Sequence, residues 1–159
     1  MQNEGEFKRF GHPDRFALDL RLLPDPDGDA AAPAAAVGSW GEWRLWVNRI
    51  NLTEHDLILA TGETVRQEHV TWYLAPLLCW LAVGWTPLLH EEHFPSTIRR
   101  ARDARSAYIS VASTQMDDTE VFSPWQDWAA RHGLRWAAEG GMVPDVFLRR
   151  LGDDIEVSW

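Results

Sequence analysis

His90-Glu91-Glu92-His93 is the first segment of this sequence whose residue types and spacing could do chemistry. Histidines at i and i+3 with acidic neighbours can ligate zinc when the segment is helical. The spacing is one residue shorter between the histidines than the His-Glu-x-x-His of zinc peptidases. A third ligand would have to come from His55, His69 or His132, and nothing in the spacing selects one. A small metal-dependent hydrolase centred on His90 and His93 is therefore one reading. A polar loop between two helices is the preferred one, and no metal or cofactor is expected.

Other chemistry has less to stand on. Cys79 lies in the most apolar stretch, with no charged residue within four positions, which predicts an inert, protonated core thiol. There is no Gly-x-Ser-x-Gly elbow. Gly140-Gly141 lacks both the phosphate-loop lysine and the dinucleotide glycine spacing, and reads as a helix stop. Asp117-Asp118 and Asp153-Asp154 fall in expected turns, where solvated Asp is common. No catalytic residue is assigned. Arg99, Arg102 and Arg105 would form an inclined row on a helix starting at Ser96, a surface for an anion or a nucleic-acid strand. Arg149 and Arg150 point to opposite faces of a strand and cannot share that role.

The overall balance weighs against a broad phosphate-binding surface. The chain has 159 residues, 15 Lys+Arg against 24 Asp+Glu, and a net charge of −9. Nucleic acid is thus a disfavoured partner. A single Cys excludes an internal disulfide and fits a reducing, cytoplasmic compartment. The sequence has no apolar run long enough to span a membrane, and its first residues lack a signal-peptide core. Length and composition predict one α+β domain over residues 1–159. Ten Trp are the outlying feature, and core packing is their default fate. Trp46 is the exception: in a strand where Trp43, Leu45 and Val47 share one face, Trp46 and Arg44 fall on the other. That Trp/Arg pair suits a protein-binding surface.

The elements that must position these groups follow from periodicity. Residues 15–23 alternate Phe16, Leu18, Leu20 and Leu22 with polar or small residues, a half-buried strand. Residues 24–38, rich in Ala, Pro and Asp, read as a flexible linker loop. Residues 40–48 form a second strand; 57–59 and 63–69 are shorter ones. Residues 71–85 read as a central helix with Pro76 in its first turn and Gly84 at its end, after which Thr86-Pro87 changes direction. A second helix is expected over 96–113. A third starts at the Ser123-Pro124-x-Gln126 capping box and runs to about Ala138. Residues 146–151 and 155–159 form a closing hairpin, with Trp159 packed. Strands, then helices, then strands predict a mostly antiparallel sheet with about three helices on one face.

Three stretches together resemble a known family: 39–47 (SWGEWRLWV) with Asn51-Leu52, 71–95 (TWYLAPLLCWLAVGWTPLLHEEHFP) and 131–159 (RHGLRWAAEGGMVPDVFLRRLGDDIEVSW). They are similar to an N-terminal domain of bacterial proteins that in some cases carry a following zinc metallo-endopeptidase domain, of the kind that cleaves phage-type repressors. The matching motifs are structural ones, Trp, Leu, Gly and Pro at packing positions. The resemblance implies that this chain corresponds to the accessory domain, since it has no His-Glu-x-x-His. It further implies a bacterial adaptor or sensor in stress response or phage defence. The combined expectation is a non-catalytic domain that binds a larger protein through Trp46 and Arg44.

Overall fold

Strand alternation in the N-terminal half builds the largest element of the fold, a five-stranded antiparallel sheet. A computed structural model describes residues 5–26, 36–91, 93–94, 101–113, 119–138 and 143–159. The chain divides into two compact units, Met1–Leu78 with Ala138–Pro144, and Cys79–Ala137 with Asp145–Trp159. The class is α+β, antiparallel sheets with three helices packed against them. Among the described residues, no helix is long and apolar enough to cross a membrane.

In the first unit the large sheet consists of β1 (Lys8–His12), β2 (Phe16–Leu22), β3 (Trp40–Val47), β4 (Ile50–Asn51) and β7 (Val70–Tyr73). Strand β3 is central, pairing with β2 on one side and with β4 and β7 at its two ends on the other. The register sets Leu18 opposite Leu45, Leu20 opposite Trp43, and Trp43 opposite Val70. Facing residues share one side of the pleat, so one apolar face forms, with Trp43, Leu45 and Val70 buried. The β3–β4 hairpin turns through Asn48 and Arg49, both at positive φ (49° and 67°), the two-residue turn that matches strand twist. Arg49 holds that conformation through its backbone bond to Pro13 O (2.7 Å) and a two-pronged ion pair with Asp14. A separate hairpin joins β5 (His55–Ile58) to β6 (Thr64–Gln67).

Helix α1 (Leu74–His90) departs from expectation at both ends. Residues 70–73 are strand, so Trp72 belongs to the sheet and not to the helix. The helix also continues through Gly84 and Pro87. Gly84 is buried, with Arg131 O 3.5 Å from where a Cβ would stand, so it serves close packing within the second unit. Pro87 withholds a donor from the Val83 carbonyl, and Val83 is open to water, which can satisfy it.

In the second unit α2 (Ala104–Ser113) and α3 (Thr119–His132) pack against the hairpin of β8 (Phe147–Leu151) and β9 (Asp154–Ser158). Ala104, Ala107, Val111, Trp125, Trp128, Ala129 and Phe147 form one buried cluster. Helix α2 starts eight residues after the expected Ser96, capped by Asp103, whose Oδ1 accepts from Ser106 N at 2.7 Å. Residues 95–100 lie outside the described part. Helix α3 begins at Thr119, four residues before the expected cap, so Pro124 sits inside it. It ends at Gly133, crowded by Ala129 O and the Phe147 ring, and a short 3₁₀ turn, Leu134–Ala137, follows. The expected stop at Gly140-Gly141 lies outside the described residues, as do Asp117-Asp118 and residues 27–35 of the expected linker. Trp159 is 57% exposed, not packed. Of the ten Trp, only Trp43, Trp125 and Trp128 are fully enclosed.

Candidate functional site

His90 and His93 reach one concavity. His90 ends α1, and with His93, Phe94, Pro124, Asp127 and Arg131 it borders a cavity of about 550 Å³. Glu91, between them, is already engaged. Its carboxylate takes two bonds from Arg131 (3.0 and 2.7 Å) and lies 3.0 Å from His132 Nε2. His132 is fully buried; its Nδ1–H donates to Leu148 O at 2.7 Å, and its ring stacks on Trp128 at 4.3 Å. Burial works against ionisation of Glu91, but the bonds from Arg131 and His132 outweigh it and hold the carboxyl below its ordinary range. The geometry is that of a clamp joining α1, α3 and β8. Glu92 lies outside the described residues. Among those described, no three His, Cys, Asp or Glu side chains converge as metal ligands would.

Trp46 and Arg44 do lie together on the polar face of the large sheet, as the alternation requires. Both are half-buried. Asp19, only 2% exposed, accepts from Arg9 at 2.6 and 2.7 Å and from the Trp46 indole N–H at 2.9 Å, while the Arg9 guanidinium lies 5.6 Å from the Trp46 ring. Alongside, Arg21 pairs with Glu42, whose other oxygen is 3.3 Å from His69 Nε2. The Phe7 ring is covered by Arg21 (4.7 Å) and Arg44 (4.3 Å). This face is therefore a laced layer of ion pairs and cation–π contacts in which Trp46 is a working donor.

The bonds from Arg9 hold the Asp19 carboxyl below its ordinary range; burial opposes this, and the Trp46 donor adds to it. A carboxyl depressed in the folded state contributes stability that is complete above its unfolded value and lost as pH falls through its folded value. Asp19 and Glu91 both have this sign. The urea midpoint is expected to fall on going from about pH 7 to about pH 3. Asp19→Asn and Glu91→Gln should each flatten that acid limb while lowering the midpoint at neutral pH. An unchanged slope in either variant would show that carboxyl to be uncoupled from folding.

The arginine row is rearranged. Arg102 precedes α2 and Arg105 is its second residue, so the two do not share a helical row; Arg99 is outside the described residues. The first N–H groups of this helix are occupied from within. Ala104 N–H donates to Glu156 Oε1 (2.8 Å) and Arg105 N–H to Ser158 Oγ (3.1 Å). Arg149 pairs with Glu156 and covers the Phe94 ring at 4.2 Å, and Arg150 Nη1 donates to Leu89 O at 2.6 Å.

Two surfaces were not foreseen. Helix α1 is not enclosed: Cys79 is exposed, Val83 is 79% and Trp85 55% exposed. The expected core thiol is thus a surface one. An all-apolar helix has no polar stripe to mark its outer side, which is why the sequence could not place it. In the first unit, Trp40 and Trp72 also wall a cleft of about 330 Å³ bordered by His55, Leu57, Gln67 and Thr71. The helical spacing over residues 71–85 masks this pairing in the sequence, whereas Trp72 lies in β7. Comparison with protein-family models, curated proteins and solved structures finds no match to this chain.

Proposed function

We propose that this chain is a non-catalytic interaction domain that docks onto a larger protein through the open side of α1. The observation that carries this reading is the apolar surface on that helix. Cys79, Ala82, Val83 and Thr86 follow i, i+3, i+4, i+7 spacing on one stripe, Trp85 flanks them, and all are exposed. Residues 74–89 include no charged side chain in a chain with 39 of them, 15 basic and 24 acidic. An exposed, uncharged stripe with a Trp beside it has the composition of an interface core. Trp46 and Arg44, the pair expected from the sequence, are only partly exposed and engaged within the chain, so they offer a partner less apolar area. The resemblance of residues 39–47, 71–95 and 131–159 to an accessory domain supports a bacterial cytoplasmic adaptor in stress response or phage defence. A hydrolase at His90 and His93 has less support, because Glu91 is held by Arg131 and His132.

Cys79 supplies the test, being the sole cysteine and four residues from Val83. A benzophenone maleimide on Cys79, irradiated in extract of the native host, should give one saturable adduct. Val83→Asp should remove that adduct with the circular dichroism spectrum unchanged. The same adducts from both proteins would overturn the proposal.

A further inference from the structure

The cleft between the β5–β6 hairpin and β7 has the ingredients of a binding site independent of α1. Three rings cluster at it: Trp40 and Trp72 with centroids 5.9 Å apart and tilted by 55°, Trp40 edge-on to Tyr73 at 5.0 Å, and Trp72 edge-on to Tyr73 at 5.6 Å. Tyr73 is buried, its hydroxyl donates to Asp25 at 3.1 Å, and its ring contacts both Trp rings edge-on. Trp40 and Trp72 are half-buried and form the walls.

The donors are as informative as the rings. The Trp46 indole donates to Asp19 and the Trp80 indole to Ala130 O, whereas no hydrogen bond joins the Trp40 or Trp72 indole to a described residue. Nor do these two belong with Trp43 and Trp128, whose indole nitrogens are buried and unpaired. Trp40 and Trp72, their indole N–H groups without a partner among the described residues, thus stand at the walls, and the Gln67 amide, the Thr71 hydroxyl, Val70 and His69 stand at the border; His69 Nε2 lies 3.3 Å from Glu42 and its Nδ1 is buried without a partner. Among the described residues, no Asp, Glu, Lys or Arg lines it.

A ligand for this site must be uncharged, rich in acceptors, and shaped to a corner. Walls tilted by 55° cannot sandwich a flat ring, which needs parallel faces. A polyproline II segment meets all three demands. Its prolines have no N–H, its carbonyls point outward unbonded, and its rings project as ridges at about three residues per turn. A neutral sugar fits less well, because its hydroxyl donors would find no carboxylate here. We infer that the cleft formed by Trp40, Trp72, His55, Leu57, Gln67 and Thr71 binds an uncharged proline-rich peptide, with the aromatic walls packing the rings and the indole N–H groups holding the carbonyls.

The probe is acetylated decaproline added to the intact chain, followed by the indole N–H resonances in a nitrogen–proton correlation spectrum. Saturable shifts are expected at Trp40 and Trp72, with none for a glycine-serine peptide of equal length. Trp72→Phe keeps a ring and removes the donor, and should weaken binding about tenfold. Gln67→Ala, a milder change at the border, tests the same site should Trp72→Phe lose its fold. Trp136→Ala, outside the cleft, should bind like the parent. Absence of saturable shifts, equal binding by the glycine-serine peptide, or saturable binding of a neutral oligosaccharide in place of decaproline would each overturn the inference.

Discussion

Trp128→Ala is expected to destabilise the second unit by about 3–5 kcal/mol, the range for losing a large buried aromatic. The indole is 0% exposed and lies nearly parallel to three rings, at 5.2 Å from Trp125, 4.3 Å from His132 and 6.3 Å from Phe147, all within 13°. The Phe94 ring also contacts it, tilted, at 5.1 Å. Alanine would leave a void bordered by rigid rings on α3 and β8, and rings cannot collapse into it as aliphatic chains can. The loss would also remove the surface on which His132 rests, loosening the bond to Glu91 that ties α1 to α3. The indole N–H adds nothing to this total, because it is buried without a partner. Trp128→Phe should accordingly retain most of the stability, a pattern that separates ring packing from hydrogen bonding. Trp136→Ala, at an exposed ring, should stay within about 0.5 kcal/mol of the parent. Urea titrations read all three. A loss under about 1 kcal/mol for Trp128→Ala would mean that the stack is not what holds this unit.

The contrast between Trp128 and Trp136 also shows what a sequence can and cannot carry. Strands β2 and β3 were legible because period-2 alternation imposes one buried face, and Trp43 and Leu45 are buried on it. Strand β1 was not, because Lys8–His12 is exposed throughout and exists by pairing with β2. The Ser123-Pro124 signal was locally sound, yet α3 starts at Thr119, since residues upstream are recruited by the helix that the second unit already stabilises. The Glu91–Arg131–His132 clamp joins groups 40 and 41 positions apart and leaves no local trace. His90 and His93 stand out by their spacing, whereas Glu91 between them, which makes the bonds to Arg131 and His132, has no local signal of its own. Likewise Trp40 and Trp72 meet only because β3 and β7 pair, and a helix over residues 71–85 had placed Trp72 elsewhere.

That pairing depends on a residue with no side chain. Gly41 lies in β3 between Leu22 of β2 and Trp72 of β7. A Cβ at this position would overlap the Arg21 carbonyl oxygen and stand 2.9 Å from Leu74 Cδ1. The Leu74 methyl could turn aside, but the carbonyl belongs to the ladder between β2 and β3 and cannot move without parting the strands. Overpacking commonly costs about 1–3 kcal/mol, and a collision with backbone belongs at or above the top of that range, so Gly41→Ala should cost at least about 3 kcal/mol. Gly62→Ala provides the comparison: its φ of +83° disfavours a side chain, but no described residue stands within 4 Å of a Cβ there, so the conformational penalty of about 1 kcal/mol applies. Urea midpoints should therefore rank Gly41→Ala well below Gly62→Ala. Equal losses would assign the effect to backbone freedom and not to the close approach of β2. Because Gly41 faces Trp72 in register and adjoins Trp40, any Gly41→Ala protein that stays folded should have displaced cleft walls. Its Trp40 and Trp72 indole resonances should shift before ligand is added, and decaproline should bind it more weakly than the parent.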